Sequence, residues 1–169
     1  MFALLTPDLK LESVVELDAP RLRSLGIEAL LLDIDCTLKR YPEESVPPPV
    51  RDWLDALRQA GIALCLVSNG RGPRVRKLAA AIGLPVVCEA CKPLPFGCAK
   101  AVKMLACDPA KTAMVGDQIF ADVMAGRWAG LKCILVRPIH PEEERWFTRI
   151  KRPFERILWR RWNWNPPAS

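Results

Sequence analysis

Short runs of consecutive apolar residues alternate along the chain with stretches in which apolar positions recur every three or four residues. Runs of that length suit strands buried on both faces, and the spaced pattern suits amphipathic helices. The pattern predicts strands over 27–33, 62–67, 85–88, 112–115 and 133–136. Between them it predicts helices over 50–59, 73–81, 95–105 and 118–129, with Gly61, Gly83 and Gly130 as stops. Two helical starts come earlier, at Thr6-Pro7 and at Asp18-Ala19-Pro20, where a capping side chain precedes proline; Gly26 ends the second. Strands that alternate with helices argue for an α/β fold, a Rossmann-like doubly wound parallel sheet of about five strands. The organisation expected is one domain over 1–162, with an N-terminal helical segment over 1–26 and a C-terminal basic, aromatic helical segment over 141–162. A polar tail follows over 163–169.

The ends of the apolar runs carry the chemistry. The first ends in Asp33 and Asp35 with Thr37 close behind, the second in Ser68-Asn69, the third in Lys92 and the fourth in Asp117. Asp33 and Asp35 share parity in an extended segment, so their side chains are expected to leave on one side. Parallel strands bring their carboxyl ends to one rim, where open α/β sheets hold ligands. Carboxylates gathered there beside one lysine would repel each other unless a divalent cation sat among them, and hard oxygen donors suit Mg²⁺.

Composition narrows the setting. The 169 residues suffice for a sizeable core, and no apolar run approaches the roughly 20 residues needed to span a bilayer. Seven scattered cysteines with no secretory signal before them point to free thiols in a reducing, cytoplasmic setting. Cys88-x-x-Cys91 with Cys98 and Cys107 lacks the paired spacing of a zinc ribbon, and His140 is remote from it. The net charge of +6 favours an anionic partner without choosing one.

The set Asp33-Ile34-Asp35-Cys36-Thr37, Ser68-Asn69, Lys92-Pro93 and Gly116-Asp117 through Asp122 resembles the four motifs of the haloacid dehalogenase superfamily, phosphatase type. Ala90-Cys91-Lys92-Pro93, Val115-Gly116-Asp117-Gln118, Gly126, Gly130 and Ile134-Leu135-Val136 resemble its YqeG subfamily of class IIIA phosphatases. The resemblance implies a phosphomonoester hydrolase in which Asp33 is the nucleophile that forms an aspartyl phosphate and Asp35 the acid and base, with a higher pKa than its neighbour. It implies Mg²⁺ held by the Asp33 carboxylate, the Asp35 backbone carbonyl and the Asp117 carboxylate. Ser68, the Asn69 N–H and Lys92 would bind the transferring phosphoryl group; Thr37 would fix the loop behind Asp33, and Asp122 would orient Lys92 or a metal-bound water. Cys36 and Cys91 depart from the residues common at those positions, which bears on loop shape and leaves the catalytic groups intact.

The intervals from Asp33 to Ser68 and from Ser68 to Lys92 are filled by one helix and one strand each, so no cap domain fits between the motifs. An uncapped site suits a phosphate on something large, such as a protein, a nucleic-acid end or a lipid head group. Members of the resembling group in mitochondria and plastids are phosphatidylglycerophosphate phosphatases, which makes that lipid the leading candidate. Alternatives are a phosphatase of soluble sugar or nucleotide phosphates, and a non-enzymatic module that binds RNA, a membrane or a protein. Trp146, Phe147, Ile150, Phe154, Ile157, Leu158 and Trp162 fall near a helical stripe among arginines. That segment either packs on the sheet as a final helix or makes peripheral contact with a membrane; nucleic acid is the least favoured partner, and the oligomeric state is open.

Overall fold

A computed structural model of the chain describes residues 4–143, 152–162 and 164. Six strands form one parallel sheet: β1 (Leu9–Leu11), β2 (Ala29–Leu32), β3 (Ala63–Val67), β4 (Val86–Val87), β5 (Thr112–Gly116) and β6 (Lys132–Val136). Their order is β1-β6-β5-β2-β3-β4, and every neighbouring pair is parallel. The helices are α1 (Ala19–Ser24), α2 (Pro48–Gln59), α3 (Gly72–Ile82), α4 (Phe96–Leu105), α5 (Met124–Trp128) and α6 (Arg152–Arg161).

Alternation along the central strands sorts the core into two faces. Leu30, Leu32, Leu64, Leu66, Ala113 and Val115 face one way and pack with Val50, Trp53, Leu54 and Leu57 of α2 and with Val75, Leu78 and Ile82 of α3. Leu31, Cys65, Val67 and Met114 face the other way, against Cys98 and Ala101 of α4 and Ala125 of α5. Both faces are covered, which is why these strands read as continuous apolar runs.

Three expectations are corrected. The sheet has six strands rather than five, because Leu9–Leu11 is a strand where Thr6-Pro7 predicts a helix. Leu9 pairs beside Ile134, Leu11 is buried, and Asp8 fastens the approach: its N–H donates to the Cys133 carbonyl (2.8 Å), and its carboxylate accepts from the Cys133 N–H (2.7 Å). Pairing to β6 overrides the local start signal. The second start behaves as read, with Asp18 accepting from the Arg21 N–H (2.8 Å) ahead of α1. Residues 118–129 are not one α-helix: a π-helical turn, Ile119–Val123, precedes α5. Such wide turns concentrate at functional sites.

Within the C-terminal segment, α6 packs on the sheet. Leu158 and Trp159 are buried with Ile119, Val123, Cys133 and Leu135, while Phe154 and Ile157 on its other side are exposed. Trp146, Phe147 and Ile150 of the predicted stripe lie outside the described residues. Between Asp33 and Ser68 the chain forms a loop, α2 and β3, and between Ser68 and Lys92 it forms α3 and β4, so neither interval carries a cap domain. No helix among the described residues is long and apolar enough to cross a membrane.

Candidate active site

The sheet reverses its order of growth at β2, with β3 and β4 added on one side and β5 and β6 on the other. Ligands of open α/β sheets sit at such a switch point, beyond the carboxyl ends of the strands. Asp33 follows β2, Ser68 follows β3 and Asp117 follows β5, so three motif residues meet there because their strands do. The Asp33 N–H donates to the Val115 carbonyl (2.9 Å), which extends the β2–β5 ladder to the site itself.

Lys92 is the centre of the cluster. Its ammonium is buried and donates to Asp33 Oδ1 (2.6 Å), Asp122 Oδ1 (2.7 Å) and the Val67 carbonyl (2.9 Å). An ammonium has three donors, and all three are used. Asn69 fixes the Lys92 backbone from both sides: its Oδ1 accepts from the Lys92 N–H (2.8 Å), and its Nδ2 donates to the Lys92 carbonyl (2.9 Å). The Thr37 hydroxyl lies 3.0 Å from Asp33 Oδ2 and 3.1 Å from Asp117 Oδ1, between the two carboxylates. Asp122 reaches the cluster through the π-helical turn, and its Oδ2 accepts from the Gln118 N–H (3.0 Å). Ser68 is buried and its Oγ accepts from the Gly70 N–H (3.0 Å), which turns the chain after β3.

Asp35 is placed differently from its neighbour. β2 ends at Leu32 and Cys36 takes a left-handed backbone (φ 65°), so strand parity no longer governs Asp35. Its Oδ1 accepts from Lys39 Nζ (2.8 Å) and Arg74 Nη1 (3.0 Å), and Oδ2 pairs with Arg74 Nη2. The Asp33 and Asp35 carboxylates therefore point to separate partners.

Electrostatics follow from these partners. Burial is the main influence on Asp33 and pushes its pKa up to about 7, with Lys92 opposing and Asp122 assisting. Burial also acts to raise Asp35, but hydrogen bonds from Arg74 and Lys39 outweigh it and hold that carboxyl below its ordinary value. The two carboxyls shift in opposite directions because Asp35 has two cations of its own while Asp33 shares one. Burial disfavours the Lys92 ammonium, yet Asp122 and Asp33 more than compensate and raise its pKa.

Asp33, Asp117 and Asp122 are all buried, and one oxygen of each lies within 4.8 Å of the others. Three carboxylates beside a single ammonium, with only oxygen donors, suit a hard divalent cation. Both Asp122 oxygens already accept hydrogen bonds, from Lys92 and from the Gln118 N–H, which favours Asp122 as the group that orients Lys92. No cluster of potential metal ligands among the described residues includes a cysteine, and no disulfide forms among them.

Lys39 and Arg74 escape the motif reading. Lys39 stands four residues after Asp35, a spacing that could have signalled a pair, whereas Arg74 is brought to Asp35 only by the docking of α3.

Comparison with known proteins agrees with this geometry. A family model described as haloacid dehalogenase-like hydrolase matches residues 8–130. A Bacillus subtilis protein described as a probable phosphatase, YqeG, is 26% identical over 90% of this chain and 88% of its own length. The chloroplastic/mitochondrial phosphatidylglycerophosphate phosphatase 1 of Arabidopsis thaliana is 27% identical over 92% of this chain, which spans about half (47%) of that longer protein. Among solved structures, the cobalt-bound deoxy-D-mannose-octulosonate 8-phosphate phosphatase of Haemophilus influenzae shares the fold, with a TM-score of 0.54, 18% identity and coverage of 75% of this chain and 74% of that one. With its motif residues gathered at the switch point of the sheet, the chain belongs to the haloacid dehalogenase-like hydrolases.

Proposed function

We propose that this hydrolase is Mg²⁺-dependent and cleaves phosphomonoesters through an aspartyl phosphate on Asp33, with phosphatidylglycerophosphate as its leading substrate. The observation that carries the reading is the buried Lys92 held between Asp33 and Asp122, with Asp117 beside them. An Asp33 oxygen attacks phosphorus, the bond to the leaving oxygen breaks, and Asp35 supplies the proton that the alkoxide needs. Asp35 then takes a proton from water as the water oxygen attacks the aspartyl phosphate, releasing inorganic phosphate and restoring Asp33. Ser68, the Asn69 N–H and Lys92 hold the phosphoryl oxygens as their charge shifts in the transition state. Asp33, Asp117 and the Asp35 backbone carbonyl are the groups that would hold the cation, which supplies positive charge against the phosphate and keeps Asp33 ionised.

The lipid assignment rests on three supports. The Arabidopsis relative, and a Chlamydomonas reinhardtii relative 28% identical over 98% of this chain, bear that activity in their names. Neither interval between the motifs carries a cap domain. Leu94 and Phe96, just after Lys92, are exposed, as are Phe154 and Ile157 on α6, and exposed apolar side chains of this kind suit peripheral contact with a membrane surface.

The test is phosphate release across lipid, sugar and nucleotide monoesters, with and without Mg²⁺, beside Asp33→Asn. The expected result is Mg²⁺-dependent turnover that is highest with phosphatidylglycerophosphate and absent in the variant. Turnover in Asp33→Asn overturns the nucleophile, and preference for a soluble ester overturns the lipid.

A further inference from the structure

We infer that Arg74 is a specificity-determining residue: it clasps Asp35 and, when substrate binds, exchanges that carboxylate for a second anionic group on the leaving portion of the substrate. The inference rests on the acid role proposed above for Asp35, because the group that protonates the leaving oxygen marks the side on which the leaving portion lies.

Asp35 has cations on both oxygens, and the two cations are not alike. Lys39 is buried, with 1% of its side chain exposed, and also donates to the carbonyls of Arg40 (3.0 Å) and Tyr41 (3.3 Å). It is a fixture of the loop. Arg74 stands in the first turn of α3 with 43% of its side chain exposed, its guanidinium 5.6 Å from the centre of the Tyr41 ring. Its partial exposure lets it turn toward solvent, and Tyr41 offers a face along which to do so.

There is room for what it would meet. A cavity of about 310 Å³ borders Arg74, lined in part by Ile34, Lys39, Val75, Lys77 and Leu78. Two acids also line it, and both have partners: Glu44 pairs with Lys77 (3.0 Å), and Glu43 accepts from the Arg40 N–H (3.2 Å). Arg74 thus stands beside a space large enough for a small anionic group, and its planar fork, turned from Asp35, fits a carboxylate or a phosphodiester as well as it fits Asp35. Exchange of one anion for another leaves Arg74 paired throughout. It leaves Asp35 with Lys39 alone and clears its outer oxygen for the leaving group. A monoester without a second anion provides nothing to exchange, so Asp35 stays clasped.

The ligand chemistry is therefore a phosphomonoester whose leaving portion bears another negative group, whether the diester of a lipid head group or the carboxylate of a soluble metabolite. Two matched pairs of probes separate these sources. Phosphatidylglycerophosphate against phosphatidic acid, both in detergent micelles, tests the diester; 3-phosphoglycerate against glycerol 3-phosphate tests the carboxylate. One charge-assisted bidentate contact predicts a preference of about tenfold or more in kcat/KM for the two-anion member. The preference should appear in at least one pair, and the pair that shows it identifies the source. In Arg74→Gln the ratio should fall to within about twofold of one, and Arg74→Lys, which keeps charge without the fork, should lie between. Thermal melts of both variants check that they fold.

No preference in either pair, or a preference that survives Arg74→Gln, overturns the inference. Binding separates this result from failure of the phosphatase reading. Calorimetric titration of Asp33→Asn/Asp35→Asn, in which Arg74 has no Asp35 carboxylate to give up, should show tighter binding of the two-anion member in Kd, lost when Arg74→Gln is added. If the wild-type enzyme hydrolyses nothing yet that binding preference holds, the reaction is wrong and the Arg74 subsite stands. Equal binding of both members of each pair, with or without turnover, removes the subsite.

Discussion

The ammonium of Lys92 and the carboxylate of Asp122 meet at 2.7 Å in an environment that leaves only 2% and 3% of their side chains exposed. Lys92 serves Asp33 at the same time, so one positive charge stands between two buried acids. Removing it leaves both uncompensated. Lys92→Met is expected to destabilise the fold by about 3–5 kcal/mol, the usual cost of breaking a buried ion pair from one side. Urea denaturation measures this, and a loss below 1 kcal/mol would mean that the acids are neutral in the folded protein. Phosphatase activity is expected to vanish in the same variant.

Gly116 makes room for that pair. A Cβ at this position would land on the carboxyl group of Asp122, at the end of a strand that is buried throughout. Gly116→Ala must therefore push Asp122 off Lys92 or distort the end of β5. The expected result is a loss of about 1–3 kcal/mol, in the range of overpacked cores, together with a fall in turnover of at least about tenfold. Wild-type activity in this variant would show that Asp122 does not need its present position.

How much of this was legible in the sequence depends on what kind of force made each feature. Buried parallel strands announce themselves, since both faces must be apolar, and the residues that close such runs fall on one rim; Asp33, Ser68 and Asp117 were therefore readable. β1 was not, because its three residues become a strand only by pairing with β6, and the nearer signal, Thr6-Pro7, favoured a helix. The π-helical turn at Ile119–Val123 has no periodicity of its own to detect. Arg74 was invisible for a related reason. Its contact with Asp35 spans 39 positions and depends on how α3 docks, whereas the shared parity of Asp33 and Asp35, which looked decisive, ended with β2 at Leu32.

Mg²⁺ should stabilise the folded chain. Asp33, Asp117 and Asp122 form the candidate cluster, and a cation bound only to the folded state adds stability with its concentration. At a hundredfold excess over Kd the gain is about 2.7 kcal/mol, and a chain of this size gains roughly 2–4 °C in Tm for each kcal/mol. Chelator-treated protein should therefore melt about 5–10 °C lower than protein with saturating Mg²⁺. Asp117→Asn should erase most of the difference, and an equal shift in that variant would place the cation elsewhere.

The thiols divide by burial. Cys65 and Cys133 are pushed up to about 12, and Cys98 to about 11, in each case chiefly because burial disfavours the thiolate. Cys91 is exposed beside Lys92. Alkylation of native protein at pH 8 should label Cys91 first and leave Cys65, Cys98 and Cys133 unmodified until unfolding. Raising the pH to 9 should not bring those three into reaction, because all remain protonated well above it. Peptide mapping after labelling reads the order directly, and early modification of Cys98 would contradict the packing of α4 on the sheet.

Glu155 ties the last helix to the active-site turn. It is 1% exposed on α6, and its Oε1 accepts from the Phe120 N–H (3.2 Å) in the turn that delivers Asp122 two residues later. Truncation to Ala strands the partly buried Phe120 N–H, at a cost of about 1 kcal/mol, and loosens the turn from the helix that covers it. Glu155→Gln keeps an acceptor of the same length and should recover part of that loss. The informative readout is Mg²⁺ affinity measured by thermal shift. If α6 holds the turn in place, Glu155→Ala weakens the response to Mg²⁺ as well as lowering Tm, and Glu155→Gln restores both together. If Tm falls while the Mg²⁺ response is unchanged, α6 is only a cover for the sheet, and Lys92, the Gln118 N–H and Gly116 suffice to position Asp122.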